Sequence, residues 1–457
     1  MYGVSRARAR ACVSAKSTVV SHLWSRALGT VSDTVSCADM VMNTPVVLLD
    51  EKILNRNIRN MQSIATQHGV RLRPHIKTHK SVELANMQIQ QGSCGVTCSK
   101  PDEACVFLEA GMDTLLAYPV LHIGKIQKVI RTALQTVTLD GLTMMADSIV
   151  GVEKLGDVLD HLASQLVYDT KLKVMIKIDV GLHRCGLNVD RKEDCTALIS
   201  MLNYINGHPH MTFQGIMSHA GMAYSATSRH ECISMANNES ALMRLTKSMI
   251  EKSGFSCPIV SVGCTLTEWV RTDFDGIDEI RPGNYVFNDM KPLELGLIQP
   301  EDIALSVLAA VVSVNPNYVL IDAGSKVMSS DKGAHGSSGS SGYGTLWKVG
   351  NMFDIEAKCL SKSLSNNEIS PLLLPSITEN LTSAMTLDKL SEEHGWISVS
   401  QYPSARNLKR GDLVRILPNH SCVVANLATN YVVFDSDTKT TTISARKIAV
   451  NGRGAVQ

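Results

Sequence analysis

From about residue 45 to residue 310 the chain alternates short, β-branched apolar runs with longer segments of helical period. The eight runs are Leu72 to Lys77, Cys94 to Cys98, Thr114 to Tyr118, Leu142 to Ala146, Lys173 to Asp179, Phe213 to His219, Pro258 to Gly263 and Glu279 to Gly283. Alternation of this kind builds a parallel sheet covered by helices, and eight repeats are the number that closes a (β/α)8 TIM barrel. Helices are expected between the runs at Lys80 to Gln91, Asp102 to Ala110 and Glu239 to Ser253. In the last of these, Leu242, Leu245, Met249 and Ile250 form a stripe that should face the core. No GxGxxG follows an early strand, so an open dinucleotide-binding sheet has no support.

After Glu301 the rhythm changes. Leu305 to Val314, Tyr318 to Asp322, Leu413 to Leu417 and Tyr431 to Phe434 read as strands without helices of matching length between them, hence a mainly antiparallel β domain. The Gly/Ser-rich Gly333 to Gly344 and the polar Ser361 to Thr386 read as loops. The expected organisation is α/β: an N-terminal extension at 1–42, a barrel at 43–305, and a C-terminal β domain at 306–457.

Charge narrows the partners. With 44 Lys+Arg against 43 Asp+Glu the net charge is +1, which lacks the basic excess of a nucleic-acid binder and the acidic excess of a disordered chain. No apolar run reaches a membrane-spanning length of about 18 residues. Twelve scattered cysteines in so large a chain read as reduced, mostly core thiols. Residues 1 to 32 hold Arg6, Arg8, Arg10, Lys16 and Arg26 and no acid before Asp33. That is the bias of a transit peptide, which would give a mitochondrial matrix location; a plain N-terminal extension on a cytoplasmic protein is the alternative.

The string Arg73-Pro74-His75-Ile76-Lys77-Thr78-His79-Lys80 packs two imidazoles, two lysines and an arginine at the end of an apolar strand. Barrel active sites gather at that end. A lysine crowded by other cations and partly desolvated becomes a workable amine for Schiff-base chemistry. A solvated basic turn is the plainer alternative. Later come two turns, Val262-Gly263-Cys264-Thr265 and Arg281-Pro282-Gly283-Asn284-Tyr285, after the last two strands. Glycine lets backbone N–H groups approach a phosphate, and hydroxyls complete the cup. Finally, His420 and Cys422 are two residues apart; on a strand they would share a face and could offer an N,S pair to Zn2+ with open positions. A buried cysteine beside a satisfied histidine is the alternative.

These strings, in this order, resemble the D-serine dehydratase and D-threonine aldolase family of pyridoxal phosphate enzymes, with an alanine racemase-like barrel, over about Thr44 to Ile448. The resemblance implies that Lys77 carries pyridoxal 5'-phosphate, beside His75. It places Arg184, in Ile178-Asp179-Val180-Gly181-Leu182-His183-Arg184-Cys185-Gly186, near the cofactor ring. His219 and Tyr224, in Gly215 to Tyr224, are implied to line the pocket. Gly263, Thr265, Gly283, Asn284 and Tyr285 are implied to hold the phosphate. Met217 departs from the pattern, which has a tyrosine there, and Asn288 departs where the dehydratase branch often has tyrosine.

The resemblance also implies zinc on His420 and Cys422, since the dehydratase branch has an aligned His-x-Cys. The aldolase branch has His-x-Asp, which suits Mn2+. It implies a homodimer acting on a small D-amino acid, with D-serine as the leading substrate and pyruvate and ammonia as products. Retro-aldol cleavage of D-threonine and dehydration of D-3-hydroxyaspartate are the alternatives. A cofactor carrier without catalysis is the non-enzyme alternative, and a racemase lacks a clear second base.

Overall fold

The computed structural model describes residues 35–166, 170–333, 342–355, 377–381, 383–435 and 445–457. The transit-like segment up to residue 34 and most of the two loop stretches, 334–341 and 361–376, lie outside the described residues.

In chain order the strands are β1 (Val46–Asp50), β2 (Arg71–Leu72), β3 (Val96–Cys98), β4 (Thr114–Leu116), β5 (Leu142–Ala146), β6 (Leu172–Lys177), β7 (Met211–Met217), β8 (Ile259–Val262) and β9 (Glu279–Ile280). Strands β2 to β9 form one sheet of eight, ordered β2-β9-β8-β7-β6-β5-β4-β3, and every pair in it is parallel. A parallel bridge between His75 and Thr97 joins the two ends and closes the barrel. All eight runs read from the sequence are strands of this barrel.

Two readings change in detail. The first run ends as a strand at Leu72 because Pro74 has no N–H for the ladder; Lys77 sits beyond it in a single 3-10 turn, Ile76–Thr78. The stripe on the long helix Arg229–Lys252 is also rotated. Its buried residues are Cys232, Ala236, Glu239, Ser240, Met243, Thr246 and Ile250, while Leu245 is 52% exposed. The helix turns Glu239 inward to meet Arg271, a pairing that an apolar stripe does not register.

The second unit continues with β10 (Leu305–Val314), β11 (Tyr318–Ile321), β12 (Thr345–Asn351), β13 (Met385–Thr386), β14 (Lys389–Leu390), β15 (Gly395–Ser398), β16 (Asp412–Leu417), β17 (Asn430–Phe434) and β18 (Arg446–Ala449). Its main path runs β13-β12-β16-β10-β1-β17-β18. All of its pairs are antiparallel except β1 with β17. Strand β1 thus lies inside the second sheet, although the chain runs on from it into the barrel. Asp50, at its end, caps the helix Glu51–Gln67 by accepting from Ile53 N.

A large apolar shell of Val, Leu and Ile lies between barrel and helices, and a smaller cluster of Leu115, Met145, Met175, Met217 and Ile259 forms a separate core. The second unit reaches across to the lysine turn: Tyr431 Oη donates to His79 O (2.7 Å) and Gly452 N to Lys80 O (2.8 Å). Lys80 itself has φ +49°, a conformation uncommon for a residue with a side chain. Among the described residues no helix is long and apolar enough to cross a membrane, and nine cysteines, Cys422 among them, are free thiols.

Candidate active site

A cavity of about 260 Å3 opens where the C-terminal ends of the barrel strands meet the second unit, and a smaller one of about 40 Å3 adjoins it. Both are lined by His75, Lys77, His219 and Arg281, so they form one site. A larger hollow of about 680 Å3 lies near β1 and β17, but its lining, which includes Asp39, Lys326 and Lys447, brings together no amine, imidazole and thiol.

The barrel supplies one wall. His75 caps the turn that carries Lys77 and is tied to the last strand by His75 N donating to Pro282 O (2.9 Å). Burial, then Lys77 and Arg281, keep the His75 imidazole neutral; burial, Lys77 and Lys177 do the same for His219. His219 Nδ1 donates to Gly263 O (2.7 Å), which fixes its ring. Among the described residues Lys77, Lys177, Arg184 and Arg281 make no direct ion pair; Glu279 reaches Arg281 only through Ser261 Oγ, to which both bond. Arg281 is buried and donates to Ser261 Oγ and Ser218 O. Lys177 is buried too, and desolvation followed by the charge of Arg281 lowers it to about 7.

The two glycine turns close in on this wall. A Cβ at Gly263 would meet Arg281 backbone at 2.7 Å, and one at Gly283 would meet His75 O at 2.8 Å. Thr265 Oγ1 accepts from both Gly283 N (3.1 Å) and Asn284 N (2.8 Å), joining one turn to the other.

The second wall carries His420 and Cys422. They do not lie on a strand: β16 ends before Pro418, and His420 is the residue that starts the helix Ser421–Leu427. Their shared orientation comes instead from Asp289, fully buried, whose Oδ2 accepts from His420 Nδ1 (3.0 Å), Ser421 N (3.0 Å) and Asn284 Nδ2 (2.7 Å). Cys422 Sγ lies 3.3 Å from Thr78 Oγ1, one residue from Lys77. Burial opposes the charge on each partner, yet Cys422 and Asp289 raise His420 to about 10, and His420 in turn lowers the Cys422 thiol. The Tyr224 ring stands 6.4 Å from that of His420.

Two domain families match this chain: the alanine racemase N-terminal domain over residues 49–291 and the serine dehydratase domain over 304–434. The chain is 30% identical to D-serine dehydratase from Dictyostelium discoideum, over 87% of this chain and 94% of that protein. The chain belongs to the D-serine dehydratase and D-threonine aldolase family. It is 28% identical to D-threo-3-hydroxyaspartate dehydratase from Delftia sp. (strain HT23), over 84% of this chain and 92% of that one. A metal-free form of a D-threo-3-hydroxyaspartate dehydratase variant superposes with a TM-score of 0.73 at 26% identity, covering 90% and 98%. Members of this family are fold-type III pyridoxal phosphate enzymes, and the chain, like its named relatives, is a lyase.

Of the residues named from sequence, His75, Lys77, His219, Tyr224, Thr265, Gly283, Asn284, His420 and Cys422 line the larger cavity, and Gly263 and Arg184 the smaller. Tyr285 stands apart: its ring is in the barrel core and its hydroxyl accepts from Gln88 Nε2 (2.9 Å). Asn288 is also outside the lining, a buried residue at φ +54° that bridges Trp269 Nε1 and Asp302 O, so its departure from the family pattern falls in the frame and not in the pocket. Met217 lines the smaller cavity with Met145, an apolar surface where a hydroxyl was expected.

Sequence reading missed three groups. Arg281 was quoted only as part of a turn, although an arginine directly before Pro-Gly at a barrel strand end is a usable signal. Lys177 was visible as a lysine inside the apolar run Lys173 to Asp179. Asp289 left no trace, since 131 residues separate it from His420.

The lining fits the family's cofactor. Unpaired cations, neutral imidazoles and two turns too tight for a Cβ make a place for a planar, phosphorylated anion. It also fits zinc: one imidazole nitrogen oriented through the Asp289 contact on Nδ1, and one thiol biased toward thiolate, with no third ligand. Among the described residues no cluster of three or more His, Cys, Asp or Glu could hold a metal.

Proposed function

We propose that this enzyme is a zinc- and pyridoxal phosphate-dependent D-serine dehydratase that removes water from D-serine and yields pyruvate and ammonia. One observation carries the reading. Lys77 and the His420–Cys422 pair, 343 positions apart in the chain, line the same cavity, so a base and a Lewis-acid site address adjacent carbons of one small molecule.

Held by Lys77, pyridoxal phosphate supplies an electron sink for the substrate's α-carbon. Once the substrate's amine has displaced it from the cofactor, Lys77 Nζ would be free to take the α-proton as general base, helped by neighbours that hold its turn rigid: the His75 cap on one side and the Tyr431 and Gly452 contacts on the other. Neutral His75 and His219 add no competing positive charge beside it. Arg281 and Lys177 lie deeper and bind the anionic end of the site. Zinc on His420 Nε2 and Cys422 Sγ would polarise the β-hydroxyl, which is otherwise a poor leaving group. Asp289 orients His420 for that role, and the buried Tyr224 ring stands edge-on to the His420 ring. The unsaturated amine that leaves hydrolyses in solution, so the water lost from the β-carbon is balanced by the water that releases ammonia.

The test is a product assay with D-serine, L-serine and D-threonine, with zinc and manganese supplied separately. Pyruvate from D-serine alone in the presence of zinc supports the reading. Glycine and acetaldehyde from D-threonine, with manganese preferred, would replace it by the aldolase.

A further inference from the structure

The larger cavity is asymmetric in charge. Its barrel wall carries Lys77 and Arg281, whereas one carboxylate alone, that of Asp331, appears among the described residues that line it. The backbone that carries it is held on the side of the metal dyad. Asn419, immediately before His420, donates through Nδ2 to Lys332 O (2.9 Å) and to Gly342 O (3.0 Å). The residue after Asp331 is thereby tied to the residue before His420. On its other side Asp331 N donates to Ser329 Oγ (3.2 Å), and Ser329 stands at φ +65°, a costly backbone state for a residue with a Cβ. Contacts on both sides of Asp331 therefore hold its backbone beside the metal dyad, with its side chain on the lining of the same cavity.

We infer that Asp331 sets the substrate class: D-β-hydroxy amino acids with hydrogen or a neutral group on the β-carbon are taken, and those with a β-carboxylate are rejected. The inference rests on the dehydratase reading and narrows it. A cavity of about 260 Å3 is on the order of 8 Å across, so a second carboxylate inside it would lie about one Debye length from Asp331. At that distance, with an effective dielectric between about 20 and 40, two unit charges repel by enough to change an affinity roughly 5- to 30-fold. Among the described lining residues Lys77 and Arg281 belong to the barrel wall, whereas His420 and the zinc it would hold stand on the side of Asp331, so the Asp331 charge is one of several there and its own share is what its removal reads.

The experiment compares zinc-loaded holoenzyme with its Asp331→Asn and Asp331→Lys variants on D-serine and D-threo-3-hydroxyaspartate, at low and high salt. It also measures competitive inhibition by D-alanine and D-aspartate, which lack a β-hydroxyl to eliminate. The ratio of kcat/KM for 3-hydroxyaspartate over serine should rise about 5- to 30-fold in Asp331→Asn, and further in Asp331→Lys, chiefly through KM. The inhibition constant of D-aspartate should fall by a similar factor relative to that of D-alanine. Raising salt should shrink the wild-type discrimination and leave that of Asp331→Asn nearly flat. The inference is overturned, with the dehydratase reading intact, if wild type eliminates water from D-serine and both variants keep the wild-type ratios, or if wild type prefers 3-hydroxyaspartate. A wild type that is inhibited by D-alanine but dehydrates neither substrate overturns the functional reading and the inference with it.

Discussion

Buried arginines are treated in opposite ways at the barrel's frame and at its mouth. Arg73 reaches Glu279 (3.0 Å) and Asp113, and Arg271 meets Glu239 (2.6 Å) and Glu268 (2.7 Å), all three groups of the second cluster being buried. Nearby carboxylates raise the pKa of both arginines against the effect of burial. At the mouth, Arg281 and Lys177 are equally buried but make no direct ion pair among the described residues, and burial outweighs the more distant carboxylates, Glu279 and Glu239 among them, and lowers both. A chain that can satisfy buried charge in one place and leaves it unsatisfied in another has reserved the second place for an anion.

The largest expected effect lies at the mouth. Lys77→Ala should lower turnover by more than about 10³-fold and remove the visible absorbance of covalently held cofactor, while apoprotein stability changes by less than about 1 kcal/mol. Retained absorbance would break the assignment of Lys77. In the frame, Arg271→Met should destabilise by roughly 3 to 5 kcal/mol in urea unfolding, because Glu239 and Glu268 are left buried without a cation. Adding Glu239→Gln and Glu268→Gln should recover most of that loss. If Arg271→Met unfolds like the parent, the contrast between frame and mouth fails.

The frame's geometry was more legible than its charges. All eight barrel runs were found because a buried parallel strand is a continuous apolar word, but Glu239 on the long helix was not expected inside, since a carboxylate shows its burial only through a partner, here Arg271, 32 positions away. The site was legible where local chemistry is concentrated in the string, as at His75 to Lys80. It was misplaced where the backbone turns: Pro74 ends the first strand early, and Pro418 ends β16 before His420. Asp289 was illegible for a different reason. Its role depends on packing between the segment after β9 and the segment after β16, and no spacing within either one encodes the other.

Lys177 sharpens the comparison with the opposite sign of effect. Its folded pKa is about 7 and its ordinary value 10.5, so between these the unfolded chain binds more protons than the folded one. Stability then rises with pH across that window, and the full penalty is present below about pH 7. Lys177→Met should therefore stabilise the apoprotein, by roughly 2 to 4 kcal/mol near neutrality, with the gain fading toward pH 10. Thermal unfolding of both apoproteins from pH 6 to pH 10 measures it. A pH-independent difference would mean that Lys177 is charged and partnered in the apo site.

The smallest effect concerns the wall opposite the barrel cations, where charge is balanced internally by Asp289, His420 and Cys422. Asp289→Asn keeps the volume and an acceptor for His420 Nδ1, but it turns an amide NH2 toward a site crowded with donors, among them Asn284 Nδ2 and Lys291 N. The His420 ring should lose its fixed orientation, and zinc affinity should fall about 10- to 100-fold, as for other carboxylates that orient a ligating histidine. Competition with a metallochromic chelator reads that loss directly. The visible absorbance should stay, because Asp289 faces the dyad and not Lys77. If instead the variant loses cofactor and metal together, the two walls are one cooperative unit, and the contrast between reserved cations on the barrel and a self-balanced pair opposite them does not describe how this site is held.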